Sequence, residues 1–192
     1  MIAILEYNAG NTRSVINAVI RQGFECKITN DKGELKNANK VIIPGVGEAA
    51  SAMKWLRENE LDKLITSLHQ PVLGICLGLQ LMCRFSEEGN TDCLGIFDSD
   101  VKRFSPLDKV PHMGWNNFQS VTGELFKGVS TDDDVYYVHS YYAELSRYTT
   151  AVCNYILPFS AAMQKDNFYA TQFHPEKSAD IGAKILKNFL EL

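Results

Sequence analysis

Short apolar runs and helical stretches alternate along the first half of the chain. Ile2 to Leu5 reads as a strand and Thr12 to Arg21 as a helix that stops at Gly23. A brief unbroken apolar run suits a buried strand, whereas apolar positions three and four apart line one side of a helix. A second strand is predicted over Cys26 to Ile28, and a third over Val41 to Ile43, broken by Pro44 and Gly45. Met53, Leu56, Leu61, Leu64, Ile65 and Leu68 then recur at helical spacing, which predicts one long amphipathic helix with a bend at Asn59. After Pro71, Val72 to Ile75 predicts another strand. Strands separated by helices imply a parallel sheet with right-handed crossovers, because parallel neighbours need a long connection. The predicted class is α/β, a central, mostly parallel sheet flanked by helices.

The texture changes from about Cys93 to Phe173. Val101 to Phe104, Asn117 to Val121, Val135 to Tyr142, Thr150 to Ile156 and Phe168 to Phe173 are β-rich, which predicts an additional antiparallel or mixed region in the second half. Ile181, Ile185 and Phe189 recur every four residues behind Ser178, predicting a terminal helix capped by that serine and packed on the sheet. There is no internal repeat, low-complexity tract or linker, so residues 1–192 are expected to form a single domain.

Composition narrows the function classes. Hydrophobic residues at 45% and charged residues at 22% suit a globular protein, and a formal charge of −4 gives no electrostatic reason to expect nucleic acid. No apolar run approaches the roughly 20 residues needed to cross a bilayer, so no membrane partner and a cytoplasmic location are expected. The five cysteines are odd in number, widely spread and without a C-x-x-C pair, so neither a metal nor another cofactor is expected. Most of them read as small buried hydrophobes.

Cys76 stands apart. Gly74-Ile75-Cys76-Leu77-Gly78 sets it between glycines at the end of an apolar run, the form of a nucleophile elbow. Such a strand-to-helix turn brings backbone segments too close for a Cβ, so glycines flank the presented nucleophile. Leu79 to Arg84 has helical character, and a thiol at a helix start beside an imidazolium favours the thiolate. A glycine-flanked cysteine alone is only moderately specific, and a base is required. Gln172-Phe173-His174-Pro175-Glu176 supplies one: in extended backbone His174 and Glu176 share a face, so the carboxylate can orient the imidazole that takes the thiol proton. His69, His112 and His139 lack a carboxylate at a spacing that would orient them, and His69 is expected at the surface. Acyl transfer also needs oxyanion donors. The Leu77 N–H is one candidate, and the loop Pro44-Gly45-Val46-Gly47 is a second source.

These residues resemble the class I glutamine amidotransferases, through Gly74-Ile75-Cys76-Leu77-Gly78-Leu79-Gln80 and His174-Pro175-Glu176. The resemblance covers essentially the whole chain and implies their flavodoxin-like fold. Three further motifs, Tyr7-Asn8-Ala9-Gly10-Asn11, Pro44-Gly45-Val46-Gly47 and Pro111-His112-Met113-Gly114-Trp115-Asn116, are similar to those of the glutaminase subunits of imidazole glycerol phosphate synthase. The resemblance implies a Cys76-His174-Glu176 triad, with Gly47 and Leu77 at the oxyanion and Gly47, Gln80, Ser140 and Tyr141 around L-glutamine. It further implies that Asn8, Asn11, Trp115, Tyr136 and Lys177 lie near the face that meets a (β/α)8-barrel cyclase subunit of HisF type. That cyclase uses the released ammonia to make imidazole glycerol phosphate and AICAR from phosphoribulosyl-formimino-AICAR phosphate. In such enzymes the glutaminase is nearly silent until partner and ligand bind, and the glycine-flanked Pro44 to Gly47 peptide is the natural switch. A paralogue feeding another ammonia-dependent synthase would keep the same motifs. A cysteine peptidase or deglycase of α/β type would share the elbow without needing Gln80 or the oxyanion loop.

Overall fold

The computed structural model describes residues 1–8 and 12–192, so Asn11 lies outside the described residues. Strand and helix alternate through β1 (Ile2–Leu5), α1 (Thr12–Arg21), β2 (Cys26–Thr29), α2 (Lys32–Asn37), β3 (Lys40–Ile43), α3 (Ala49–Glu58), α4 (Leu61–Thr66), β4 (Val72–Ile75) and α5 (Leu77–Met82). Short strands follow: β5 (Phe85–Ser86), β6 (Thr91–Asp92), β7 (Asp100–Arg103), β8 (His112–Asn116), β9 (Ser120–Val121), β10 (Val135–His139) and β11 (Tyr141–Ala143). The chain then runs through β12 (Thr149–Tyr155), β13 (Leu157–Lys165), β14 (Phe168–Thr171) and α6 (Ala179–Leu190).

The main sheet has the order β2-β1-β3-β4-β14-β13-β12-β9. Its first five strands are parallel, and β13, β12 and β9 extend it antiparallel. This is the α/β class that the alternation predicts. Side chains alternate across the sheet. Leu5 and Ile43 enter a core shared with Met53 and Leu56 of α3, while Ile4 and Ile42 enter one shared with Val19 of α1 and Phe189 of α6. Strands covered on both faces must be apolar at successive positions, which is why β1, β3 and β4 read as uninterrupted runs. Two smaller sheets, β10-β8 and β11-β7-β5-β6, make up the β-rich region beside it.

Several boundaries differ from expectation. The long helix is two helices, because Glu60 adopts a left-handed φ of 55° and ends the hydrogen-bond ladder rather than bending it. Val135 to Tyr142 is not one strand: Ser140 separates β10, which pairs with β8, from β11, which pairs with β7. The strand expected over Asn117 to Val121 is confined to Ser120–Val121, with the longer pairing at His112–Asn116. Helix α5 starts immediately after Cys76. The Ser178 side chain does not cap α6; its hydroxyl accepts from the Tyr136 N–H at 2.9 Å and donates to the His174 carbonyl at 2.6 Å. Among the described residues no helix is long and apolar enough to cross a membrane.

Candidate active site

Cys76 occupies the junction of β4 and α5 with φ 54° and ψ −103°, a conformation that L-residues adopt only where the surroundings enforce it. Its neighbours supply that enforcement. A Cβ on Gly78 would lie 2.1 Å from the Ile43 carbonyl oxygen, and one on Gly74 would lie 2.7 Å from the Gly78 carbonyl carbon. The elbow therefore packs backbone on backbone, and both glycines are required by the close approach. The Cys76 N–H donates to the Thr171 carbonyl at 2.7 Å, tying the elbow to β14. The thiol is buried, with Gln172 Nε2 at 3.7 Å and the Val138 carbonyl at 3.9 Å from Sγ.

Strands β4 and β14 are parallel neighbours, with Thr171 opposite Ile75, so the residues that follow each strand emerge side by side. This brings His174 to Cys76. His174 Nδ1 lies 2.8 Å from Glu176 Oε1 in a pair almost entirely removed from solvent. The link between them is not extended, as the sequence suggested, but a 3₁₀ turn over Pro175–Lys177 that curls the carboxylate back onto the ring. Nε2, the nitrogen left over, is buried without a formed hydrogen bond among the described residues, and its principal charged neighbour is the Cys76 sulfur. Burial opposes a charge on this imidazole. The neighbouring Cys76 sulfur, by its charge, and the Glu176 carboxylate outweigh that opposition and hold the pKa up at about 10. The surroundings therefore favour the protonated form of His174.

A cavity of about 340 Å³ opens over Cys76, a size that suits a small polar ligand. Gly47, Leu77, Gln80, Ser140 and Tyr141, all nominated from the sequence, line it. The Leu77 N–H is directed at the Gly45 carbonyl, 3.4 Å away, and not into the cavity. Tyr7 Oη sits above Gly45, 2.5 Å from where a Cβ would be, and is buried without a hydrogen-bond partner among the described residues. Gln80 Nε2 donates to the Tyr141 carbonyl at 3.0 Å and to Gln172 Oε1 at 3.2 Å, so its amide braces the cavity wall. Sequence reasoning missed two residues here. Gln172 is fully buried beside the thiol, and its signal was an amide inside an otherwise apolar run. Glu88 is the only carboxylate among the described residues of the cavity lining and also accepts from the Ala49 N–H at 2.7 Å. Nothing in Ser86-Glu87-Glu88-Gly89 distinguishes it from an ordinary polar loop.

The family model described as glutamine amidotransferase class-I matches residues 3–192. The chain belongs to this family. This amidotransferase is 62% identical over 194 residues to a Bacteroides fragilis (strain YCH46) protein named imidazole glycerol phosphate synthase subunit HisH, covering 100% of the chain and 99% of the relative. Proteins of the same name from Bacteroides thetaiotaomicron and Escherichia coli (strain K12) are 57% and 48% identical over the same shares. Among solved structures, a putative GMP synthase component from Thermoplasma acidophilum aligns with TM-score 0.75 at 20% identity, covering 99% of this chain and 92% of that one. PurLQS from Thermotoga maritima gives 0.73 at 16%, with 99% and 97% covered. At such identities the likeness concerns the fold.

The four described residues nominated for a partner face of this amidotransferase lie on three parts of the fold. Trp115 and Tyr136 are cross-strand partners on β8 and β10, their rings 5.9 Å apart and edge to face, with Trp115 54% exposed. Lys177 is exposed on the turn that carries Glu176. Asn8 is exposed in the turn that follows β1, its amide donating to the Ser51 carbonyl at 3.2 Å. His112 and His139 are buried against aromatic rings, His139 also lining the cavity over Cys76, and burial pushes their pKa values down to about 4 and about 3.

Proposed function

We propose that the chain is the glutaminase subunit of imidazole glycerol phosphate synthase in histidine biosynthesis, hydrolysing L-glutamine to glutamate and ammonia. The observation that carries this reading is the meeting of a strained, glycine-framed Cys76 with the buried His174–Glu176 pair at the floor of a cavity. Full-length identity of 62% to a protein named as the HisH subunit supports the pathway.

The Cys76 thiolate attacks the side-chain amide carbon of glutamine, and the carbonyl oxygen takes up the displaced electron pair. His174, holding the proton that the thiol gave up, protonates the leaving nitrogen, and the C–N bond breaks to leave a thioester and ammonia. The now neutral His174 takes a proton from the water that attacks the thioester carbon, the C–S bond breaks to release glutamate, and the protonated His174 again faces the freed Cys76 sulfur. Glu176 keeps Nδ1 protonated and stabilises the imidazolium throughout. Glu88 offers a carboxylate for the α-ammonium of the substrate.

Oxyanion stabilisation requires the Leu77 N–H to leave the Gly45 carbonyl and the Pro44–Gly47 peptide to turn a second donor inward. A resting chain with this donor withheld is slow, and docking of a (β/α)8-barrel cyclase on Trp115, Tyr136 and Lys177 supplies the drive to turn it. The chain acts as one domain in the cytoplasm, passing ammonia to the cyclase. The test is glutamate release from glutamine by the chain alone, then with the cyclase and its nucleotide substrate. Stimulation is expected. Undiminished turnover by Cys76→Ala would sink the mechanism, and a cyclase that gives no stimulation would sink the pathway assignment.

A further inference from the structure

His112 and His139 face each other across β8 and β10, and their hydrogen bonds have only one consistent set of directions. His139 Nδ1 lies 2.7 Å from the Tyr141 carbonyl, an acceptor only, so Nδ1 carries the proton and Nε2 is bare. His112 Nδ1, 3.0 Å from that Nε2, must therefore donate, which leaves His112 Nε2 to accept from Asn116 Nδ2 at 3.3 Å. The Asn116 amide is itself fixed, because Nδ2 also donates to the Asn154 carbonyl at 3.1 Å. The line does not stop at Tyr141. The same carbonyl accepts from Gln80 Nε2 at 3.0 Å, Gln80 also donates to Gln172 Oε1, and Gln172 Nε2 lies 3.7 Å from Cys76 Sγ. The His112 ring is clamped between Tyr155 at 4.0 Å and Tyr137 at 4.8 Å, both near parallel to it.

We propose that His112 and Asn116, which do not line the cavity, are positioning residues: through His139 they hold the Tyr141 carbonyl, and with it the Ser140–Tyr141 wall and the Gln80–Gln172 brace of the Cys76 thiol. The wall sits at the break between β10 and β11, where the Ser140 carbonyl accepts from the Phe104 N–H at 3.0 Å while the Tyr141 carbonyl is left to side-chain donors, so the wall is anchored from the side at Tyr141. Asn116 adjoins Trp115 on β8, so the line runs from the exposed aromatic pair to the nucleophile. The proposal rests on the glutaminase reading for the identity of the ligand, but the anchoring of the thiol does not.

Two substitutions at one position separate anchoring from bulk stability. His112→Phe keeps a ring between Tyr137 and Tyr155 and removes the donor to His139; His112→Asn keeps an N–H near Nδ1 and removes the ring. A purely structural role ranks both stability and ligand affinity with Phe above Asn. Anchoring by the N–H predicts the opposite order for function: glutamine protection of Cys76 against iodoacetamide weakened about tenfold in His112→Phe and less in His112→Asn, whatever their melting temperatures. The alkylation rate of Cys76 without glutamine is expected to move in the same order. Affinity or alkylation that tracks melting temperature would overturn the proposal. Failure of glutamine to protect the wild-type chain would instead overturn the glutaminase reading, with the alkylation order still deciding the anchoring. Should both variants fail to fold, long-range ¹H–¹⁵N spectra of the wild-type imidazoles decide: both histidines protonated on Nδ1 is the expected result, and an Nε2–H tautomer of either overturns it.

Discussion

His174 Nδ1 and Glu176 Oε1 lie 2.8 Å apart across one 3₁₀ turn, with 2% and 3% of their side chains exposed. Removing one member of a pair so deeply buried leaves the other without compensation, so the contact orients the imidazole as well as stabilising its charge. Glu176→Gln preserves shape but turns either an amide oxygen or an NH₂ toward Nδ1. The expected result is a loss of glutamate release on the order of 10³- to 10⁴-fold, as for asparagine in place of a triad aspartate. Steady-state rates beside a circular dichroism spectrum check it, and wild-type turnover would remove Glu176 from the mechanism.

Gly182 of α6 backs onto the same turn. A Cβ there would lie 2.0 Å from the Pro175 carbonyl oxygen and 2.6 Å from the Ser178 Cβ, so alanine must displace the turn that carries Glu176. Gly182→Ala is expected to cost about 1–3 kcal/mol of stability, the range for overpacking, and to lower turnover although it touches no substrate. Denaturant unfolding and kinetics on one preparation read both effects; unchanged turnover would show that the turn yields elsewhere.

At Cys76 the backbone conformation and the chemistry pull in opposite directions. Cys76→Gly removes the nucleophile and relieves a φ of 54°, so an inactive protein no less stable than the wild type is expected, strain at such sites being about 1–3 kcal/mol. Because the Cys76 sulfur, together with Glu176, holds the His174 pKa up against burial, that pKa is expected to fall from about 10 in this variant. NMR titration of His174 provides the measurement, and an unmoved value would disconnect the two groups.

Glu88 lines the cavity that opens over Cys76. If it meets the α-ammonium, Glu88→Gln raises KM for glutamine by about tenfold, the worth of one charge-assisted hydrogen bond, with kcat changed far less. A fall in kcat at constant KM would assign Glu88 to something other than substrate binding.

Acid should loosen the fold through the histidine pair. Burial holds His139 at about 3 and His112 at about 4, while in the unfolded chain both titrate near the ordinary 6.5. Below pH 6.5 the unfolded state therefore binds protons that the native state refuses. The stability these neutral rings allow is full above pH 6.5 and falls as pH drops toward 4 and then 3, by up to about 1.4 kcal/mol per pH unit for each. Urea midpoints between pH 7 and 4.5 are expected to fall, and less steeply in His112→Phe; parallel slopes would exclude His112 as a contributor.

What could be read from the chain followed physical pattern closely. β1, β3 and β4 are buried on both faces and so announce themselves as apolar runs, and the glycines around Cys76 report backbone contacts that any larger residue would break. Helix α2 was missed because six residues with one buried side chain, Leu35, carry no period; its marker is the Asp31 cap, which accepts from the Glu34 N–H at 2.8 Å. β13 was missed although it is nine residues long: Pro158 is its second residue and Ser160 lies buried within it, so it shows neither alternation nor an unbroken apolar run. Ser178 has the composition of a cap and spends its hydroxyl on Tyr136 and His174 instead, a tertiary demand that local sequence does not express. The hydrogen-bond line through His112 was equally hidden, since its members come from β8, β10, β11, α5 and the segment after β14.

The neighbouring placement of β4 and β14 in the sheet also sets an order in time. During synthesis the thiol leaves the ribosome long before the histidine that activates it, and the slot between β4 and β13 stays open until β14 fills it. A nascent chain thus carries an ordinary cysteine, and reactivity arrives only when the middle of the sheet closes.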